Sequence, residues 1–173
     1  MTILGIAGCT ALIITGFGIR AAFSEIIPEQ YGNIFKLNSE VFFKNDITNI
    51  EVEEELKRVN ELPEIDTATI GMVKLVDFQI SNNKKLQVNA IVPNDLKTFY
   101  KLVELNNVND KKSSTLKLSN EGVILTEKIA KLLNAKVGGT ISFTDEDNNT
   151  YTDKVAGKCE NYIYHYMYMT QEN

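Results

Sequence analysis

The first 19 residues, MTILGIAGCTALIITGFGI, constrain the fold more than any other part of the sequence, because no Asp, Glu, Lys or Arg occurs before Arg20. As an α-helix rising 1.5 Å per residue, such a segment spans roughly 28 Å, close to the ~30 Å hydrocarbon core of a bilayer. The segment also lacks the polar face that a helix on the surface of a soluble domain carries. We therefore predict a membrane-spanning helix, with a cleaved signal peptide or a buried helix of a soluble domain as the alternatives.

The residues on either side of this segment indicate the position of the helix in a longer protein. A first span or a signal peptide normally begins with Lys or Arg, and none precedes this one, which points to a chain cut from something longer. Cys9 matches a lipoprotein cleavage pattern only loosely, because ten uncharged residues follow it instead of a polar linker. Helical patterning continues past Arg20 until Pro28, which should end the helix. We expect residues 1–27 to be the span and its extension, and residues 28–173 to form an extracytoplasmic domain.

The charges lie beyond the apolar segment and limit the partners of the domain. The formal net charge of −5 comes entirely from residues 20–173. An acidic domain with mixed charges is a poor candidate for binding nucleic acid or for docking on anionic lipid, both of which need clustered Lys and Arg. Cys9 and Cys159 are far apart in the sequence, and we expect neither a disulfide nor a metal site from them.

Hydrophobic periodicity predicts alternating strands and helices in the first half of the domain. Helix signals are the capping box formed by Thr48 and Glu51, and Asn94 at the start of a second helix. Strands are predicted from a high density of β-branched and aromatic residues and from alternation of apolar and polar residues, and a tight turn is predicted at Asn82-Asn83. The predicted elements are a strand at 34–43, a helix from 48 to 61, a hairpin of 67–80 and 86–92, a short helix from 94, and a polar loop at 106–114.

The second half of the domain also has patterns that predict strands and helices. A short buried strand at 123–125 is followed by a helix over 127–133 with Thr126 as its cap. Gly138-Gly139 lead into a hairpin, and an alternating segment follows it. The predicted strands are 140–144, 150–155 and 159–169. Helices and hairpins mixed in this order predict an α+β fold class.

Catalytic and metal-binding motifs are missing from the sequence. His165 is the only histidine, and no G-x-S-x-G, H-E-x-x-H, C-x-x-C or Walker-type phosphate loop occurs. The acidic run Asp145-Glu146-Asp147 lacks the spacing of a calcium loop, so we interpret it as a solvated hairpin tip. We predict no enzyme activity, no catalytic residues, no cofactor and no metal ligand.

An alternating run near the C-terminus is the most unusual local feature of the domain. In a β-strand, Tyr162, Tyr164, Tyr166 and Tyr168 would lie on one face, because side chains alternate with period 2. Such a tyrosine ladder could pack against a neighbouring helix, with the hydroxyls at the edge. It could equally form a contact surface for a partner, because tyrosine is enriched at interfaces.

Two stretches resemble a known family. The opening TILGIAGCTALIITGFGI, followed by residues 30–34, looks like the end of the first transmembrane helix of FtsX-like permeases of ABC transporters. The later GVILTEKIAKLLNAKVGGTISF segment and its continuation to Met169 resemble the end of the extracytoplasmic core domain of MacB-type permeases. Gly139 stands where the family usually has Asp, and residues 45–115 contribute little to the resemblance.

The resemblance implies a non-catalytic permease segment. In such systems a separate ATPase drives motions that the permease carries across the membrane, for export of a substrate or activation of a partner. The implied partners are membrane lipid, an ABC ATPase subunit, the remaining permease helices and a second permease copy. The implied location is the cell membrane. A free-standing, membrane-anchored extracellular binding module and an anchored secreted enzyme are the competing hypotheses.

Overall fold

The computed structural model describes residues 2–43, 48–81, 84–108 and 115–172. A single long helix, α1 (Thr2–Pro28), continues without a break into a π-helical turn at Glu29–Ile34. The other helices are α2 (Asn49–Asn60), α3 (Leu96–Leu102) and α4 (Glu127–Leu132). The strands are β1 (Gly71–Ser81), β2 (Lys84–Pro93), β3 (Val123–Thr126), β4 (Thr140–Thr144), β5 (Thr150–Cys159) and β6 (Tyr166–Tyr168).

The six strands close into a small barrel in the order β1-β2-β6-β3-β5-β4. The hairpins β1-β2 and β4-β5 are antiparallel, and a single residue pair, Asp77 with Thr144, joins β1 to β4. The last strand, β6, lies parallel to β2 and antiparallel to β3. On one side of the barrel the two hairpins are therefore joined by β6 and β3, and on the other side by the single pair between β1 and β4.

The barrel interior is filled by the inward side chains of all six strands and by one side of α4. Period-2 alternation explains the selection, since Val88 and Ala90 of β2 point inward while Ile91 packs on the outside. The buried members of the interior are Val76, Phe78, Val88, Ala90, Val123, Leu125, Ile129, Ala130, Ile141, Phe143, Val155 and Met167.

A second apolar cluster, here called the outer layer, covers the outside of the barrel beneath α3. A register shift in β5 between Val155 and Gly157 helps to form it. The extra residue in β5 moves the side chains that follow it to the opposite face of the strand. Val155 therefore packs inside the barrel, and Cys159 packs outside it. The buried members of the outer layer are Phe99, Val103, Leu105, Leu118, Ile124, Cys159 and Tyr168.

Several predicted elements are confirmed. The capping box of Thr48 and Glu51 starts α2, and the predicted hairpins are β1-β2 and β4-β5. The mixed content of helices and strands confirms the α+β class. The predicted turn at Asn82-Asn83 and residues 109–114 of the predicted loop lie outside the described residues.

Several predictions are wrong in detail. The apolar helix does not end before Pro28, because α1 includes Pro28 and leads directly into the π-helical turn. Residues 34–43 form no strand: Ile34 ends the π-helical turn, and Phe35 makes only an isolated bridge to Val103. The second helix is capped by Asp95 rather than Asn94, because the Asp95 carboxylate accepts the backbone N–H bonds of residues 97 and 98 at 3.1 Å. The strand predicted at 159–169 is short, because β5 takes Cys159 and β6 begins only at Tyr166.

Thr126 occupies the predicted cap position of α4 without capping it. Its side chain makes no hydrogen bond to the first turn of the helix. Instead, the Thr126 hydroxyl oxygen accepts a hydrogen bond from the backbone N–H of Tyr166 at 3.4 Å. The hydroxyl therefore helps to hold β6 against β3.

Candidate functional site

The strongest candidate for a functional region is the place where the apolar helix enters the domain. By length and composition α1 can cross a membrane, and its described side chains are exposed almost without exception. This exposure contrasts with a core helix of a soluble domain, which buries at least one face. The segment that follows, residues 29–36, is here called the helix exit.

Two side chains of the helix exit are buried in the domain. Gln30 and Ile34 are each 1% exposed, while Tyr31 between them is 55% exposed. The turn also pairs with the chain after α3, because the Glu104 backbone N–H donates to the Ile34 carbonyl at 2.8 Å and the Lys36 N–H donates to the Leu102 carbonyl at 2.7 Å. The helix exit is thus attached to the domain at once, without a flexible linker.

The Gln30 amide is the centre of a hydrogen-bond network with the loop of residues 160–165. Its Nε2 donates to Oδ1 of Asn161 at 2.8 Å, and its Oε1 accepts from the backbone N–H groups of Tyr162 and Ile163 at 2.8 and 3.2 Å. Asn161 in turn donates to the carbonyls of Ile163 and Tyr164 at 2.6 and 3.1 Å. Both ends of a buried polar group are therefore satisfied.

The four tyrosines of the predicted ladder do not share one strand face. Tyr162 and Tyr164 belong to the loop 160–165, where Tyr164 adopts a positive φ of 62°, and they are 46% and 71% exposed. Tyr166 and Tyr168 lie in β6 and face the outer layer, where Tyr168 is 1% exposed and packs 6.1 Å from the Phe99 ring of α3. Packing against a helix, one of the two interpretations of the ladder, is what Tyr168 does.

The surroundings of Tyr162, Tyr166 and Tyr168 raise the pKa of their hydroxyl groups. Burial raises the pKa of Tyr166 to about 12, and burial raises the pKa of Tyr168 well above its usual value. A hydrogen bond to the Glu160 carboxylate raises the pKa of Tyr162 to about 12. All three hydroxyls therefore stay neutral at physiological pH.

His165 is the last residue of the loop 160–165 and precedes β6. Its backbone carbonyl accepts a hydrogen bond from the Asn89 N–H of β2 at 3.0 Å, while its Nδ1 atom is buried without a hydrogen-bond partner among the described residues. Burial, and then the nearby Lys128, lower the pKa of His165. The described part of the chain groups no three His, Cys, Asp or Glu side chains that could hold a metal.

The sequence matches the model of the MacB-like periplasmic core domain over residues 2–158. This chain belongs to that family. The match confirms the resemblance found in the sequence and the fold class it implied, an N-terminal apolar helix followed by a mixed α+β core domain.

One solved structure similar to the chain is the extracellular domain of the noncanonic ABC-type transporter YknZ from Gram-positive bacteria. It is 12% identical with a TM-score of 0.43, and the similarity covers 68% of this chain and 61% of that structure. The chain therefore spans less than two thirds of the length of that domain. No curated protein matched the sequence.

The network around Gln30 was not foreseen from the sequence. Residues 30–34 are part of the family resemblance, but a single Gln has no sequence pattern that predicts its burial. Pro28 gave the opposite signal, because it predicted the end of the helix, whereas α1 includes Pro28 and continues into the π-helical turn that carries Gln30.

Proposed function

We propose that the chain is the first membrane span and the extracytoplasmic core domain of an ABC transporter permease, with residues 1–27 as the span and its extension and residues 28–173 outside the cytoplasm. The domain carries ATP-driven motion of the span to a substrate being exported or to a partner being activated. The chain itself is non-catalytic, and hydrolysis belongs to a separate ATPase. The observation that supports this proposal is the unbroken helical path from α1 into a turn whose Gln30 and Ile34 are buried in the domain.

The sidedness of the domain is tested first. A Glu146→Cys variant places a thiol on the exposed hairpin tip, in a chain whose exposed Cys9 is replaced by alanine and whose buried Cys159 stays in place. A membrane-impermeant maleimide added to intact cells should label it fully. Labelling that requires lysis of the cells would overturn the extracytoplasmic location. The Cys9→Ala chain without Glu146→Cys is the matched control and should stay unlabelled.

The transport function is tested through the proposed ATPase partner. The reading frame should have an adjacent gene for an ABC ATPase and sequence encoding further membrane helices. The permease and ATPase expressed together should purify as one complex from detergent, with ATP hydrolysis that changes when the extracytoplasmic domain is deleted. No ATPase gene, and a chain that purifies alone, would replace the proposal by a free-standing, membrane-anchored binding module.

We further propose that the exposed Tyr162 and Tyr164 contact a partner protein, namely a second permease copy. Both rings project from a loop fixed by hydrogen bonds, so their positions are set before binding. A Tyr164→Ala variant should weaken self-association of the detergent-solubilised complex, measured by analytical ultracentrifugation. Unchanged association would remove Tyr164 from the contact. Tyr151→Ala, another exposed tyrosine, is the control.

A further inference from the structure

The Gln30 network connects parts of the chain that are far apart in sequence. Gln30 follows the membrane-spanning helix by two residues, whereas Asn161 lies 131 residues later, just before the final strand. A buried amide that uses its donor and its acceptor on one loop holds that loop in a defined position, because each unpaired group would be costly to bury. The hydrogen bonds of Gln30 thus join the loop 160–165 to the turn that continues α1.

The other end of the loop is part of the barrel wall. The His165 carbonyl accepts a hydrogen bond from the backbone N–H of Asn89 in β2. Tyr166 is the first residue of β6, and its backbone N–H donates to the Thr126 hydroxyl. β6 pairs with β2 through three residues and with β3 through two, so it is a short link between these two strands of the wall. A displacement of the loop therefore reaches both β2 and β3.

We propose that Gln30 is the positioning residue that fixes the direction of α1 against the barrel and makes the loop 160–165 and β6 move with the helix. Movement of the span thereby enters the barrel through β6, the short strand between β2 and β3. This inference rests on the proposed function, in which an ATPase moves α1. The backbone hydrogen bonds of Ile34 and Lys36 do not have this role, because they join the helix exit to the end of α3 and the residues after it.

The variants separate positioning from simple structural support. Gln30→Met keeps the length of the side chain and removes every hydrogen bond of the amide. Gln30→Glu keeps the oxygen acceptors for the Tyr162 and Ile163 N–H groups and should rescue part of the effect. Asn33→Ala is the matched control, because Asn33 lies on the same turn, is exposed, and bonds only locally to Glu29 at 2.6 Å.

The measurement is a pair of spin-label distances in the full chain, reconstituted in lipid nanodiscs with Cys9 replaced by alanine. Ser24→Cys with Glu146→Cys reports the direction of the helix against the barrel, and Lys97→Cys with Glu146→Cys reports the barrel alone; all three positions are exposed. Gln30→Met should widen the helix-to-barrel distribution at least twofold and leave the barrel distribution unchanged. Gln30→Glu should lie between Gln30→Met and the unaltered chain, and Asn33→Ala should match the unaltered chain.

Hydrogen exchange supplies the readout within the loop. The backbone amides of Tyr162 and Ile163 should exchange at least tenfold faster in Gln30→Met, while those of β3 keep their protection. Faster exchange with an unchanged helix-to-barrel distribution would mean that Gln30 only shapes the loop, and would overturn the proposal. An unchanged exchange rate would overturn it as well. Neither measurement includes an ATPase, so failure here leaves the transport proposal standing, and absence of an ATPase partner leaves the junction intact.

Discussion

The barrel and the helix exit belong to one continuous chain but are held by different means. The barrel interior rests on a dozen buried apolar side chains, each in contact with several others. The helix exit rests on the amide of Gln30, the side chain of Ile34 and a pair of backbone hydrogen bonds. Apolar packing is non-directional and sums over many contacts, whereas hydrogen bonds are few and require a defined geometry. The barrel therefore supplies stability, and the helix exit supplies direction.

The largest effect should come from Gly122, at the start of β3. Its φ is +151°, and a Cβ there would lie 2.3 Å from the Lys154 carbonyl oxygen. Gly122→Ala should lower the free energy of unfolding of the domain by about 2–6 kcal/mol, from backbone strain and overpacking together. Urea unfolding followed by tyrosine fluorescence measures the loss.

Gly138→Ala is the matched control, because Gly138 has a φ of +82° and open space around it. That change should cost only about 1–2 kcal/mol of conformational strain. Equal losses for the two variants would show that the close approach of β3 to β5 does not restrict Gly122.

The barrel interior should be nearly as sensitive at Leu125, which is fully buried in β3. Leu125→Ala should cost about 2–5 kcal/mol of unfolding free energy, because the wall cannot collapse around the cavity. The same change at Leu12, which is 75% exposed on α1, should alter the stability of the domain by less than about 0.5 kcal/mol. A comparable loss at Leu12, measured in the same denaturation, would contradict the division between barrel and helix.

A smaller, pH-dependent effect should arise at His165, between the barrel and the loop 160–165. Burial lowers its pKa in the folded state below the unfolded value near 6.5. The unfolded state then binds more protons, so the contribution to stability is complete above about pH 6.5 and is lost as the pH falls through the folded pKa. The unfolding midpoint should therefore fall between pH 7.5 and 5.5 by more in the unaltered chain than in His165→Gln. Identical slopes would exclude His165 as the source.

The smallest effect should appear at the ion pair of the helix exit. Lys36 Nζ lies 2.6 Å from the Glu104 carboxylate, and both side chains are about one-third or more exposed. Lys36→Met should change the unfolding free energy by less than about 1 kcal/mol, and the difference should shrink in 1 M salt. A loss as large as that of Leu125→Ala would mean that the helix exit also stabilises the barrel.

Local signals predicted the parts of the fold that depend on nearby residues. The capping box of α2 and the two hairpins are visible because their causes lie within a few positions of each other. The strand of residues 123–126 is likewise readable as a short, fully buried apolar run. These elements account for most of the barrel wall.

The failed predictions depend on contacts that are distant in sequence. Residues 34–43 have strand-forming composition, but only Phe35 finds a bridging partner among the described residues, so composition alone does not make a strand there. The alternating tyrosines fail as a ladder because Gln30, more than a hundred residues away, holds the loop 160–165 in a shape that includes a positive φ at Tyr164. Neither effect has a local pattern, and the same holds for closure of the barrel through one pair of residues between β1 and β4.

The position of β6 also has a consequence for biogenesis. Until Tyr166–Tyr168 are available to pair, the β1-β2 hairpin and the β3-β5 pair have no strand between them, and each presents an open edge of backbone N–H and C=O groups. Pairing between segments so distant in sequence is slow to form. A nascent chain therefore has two exposed strand edges until β6 is in place, and a chaperone would protect it most during this interval.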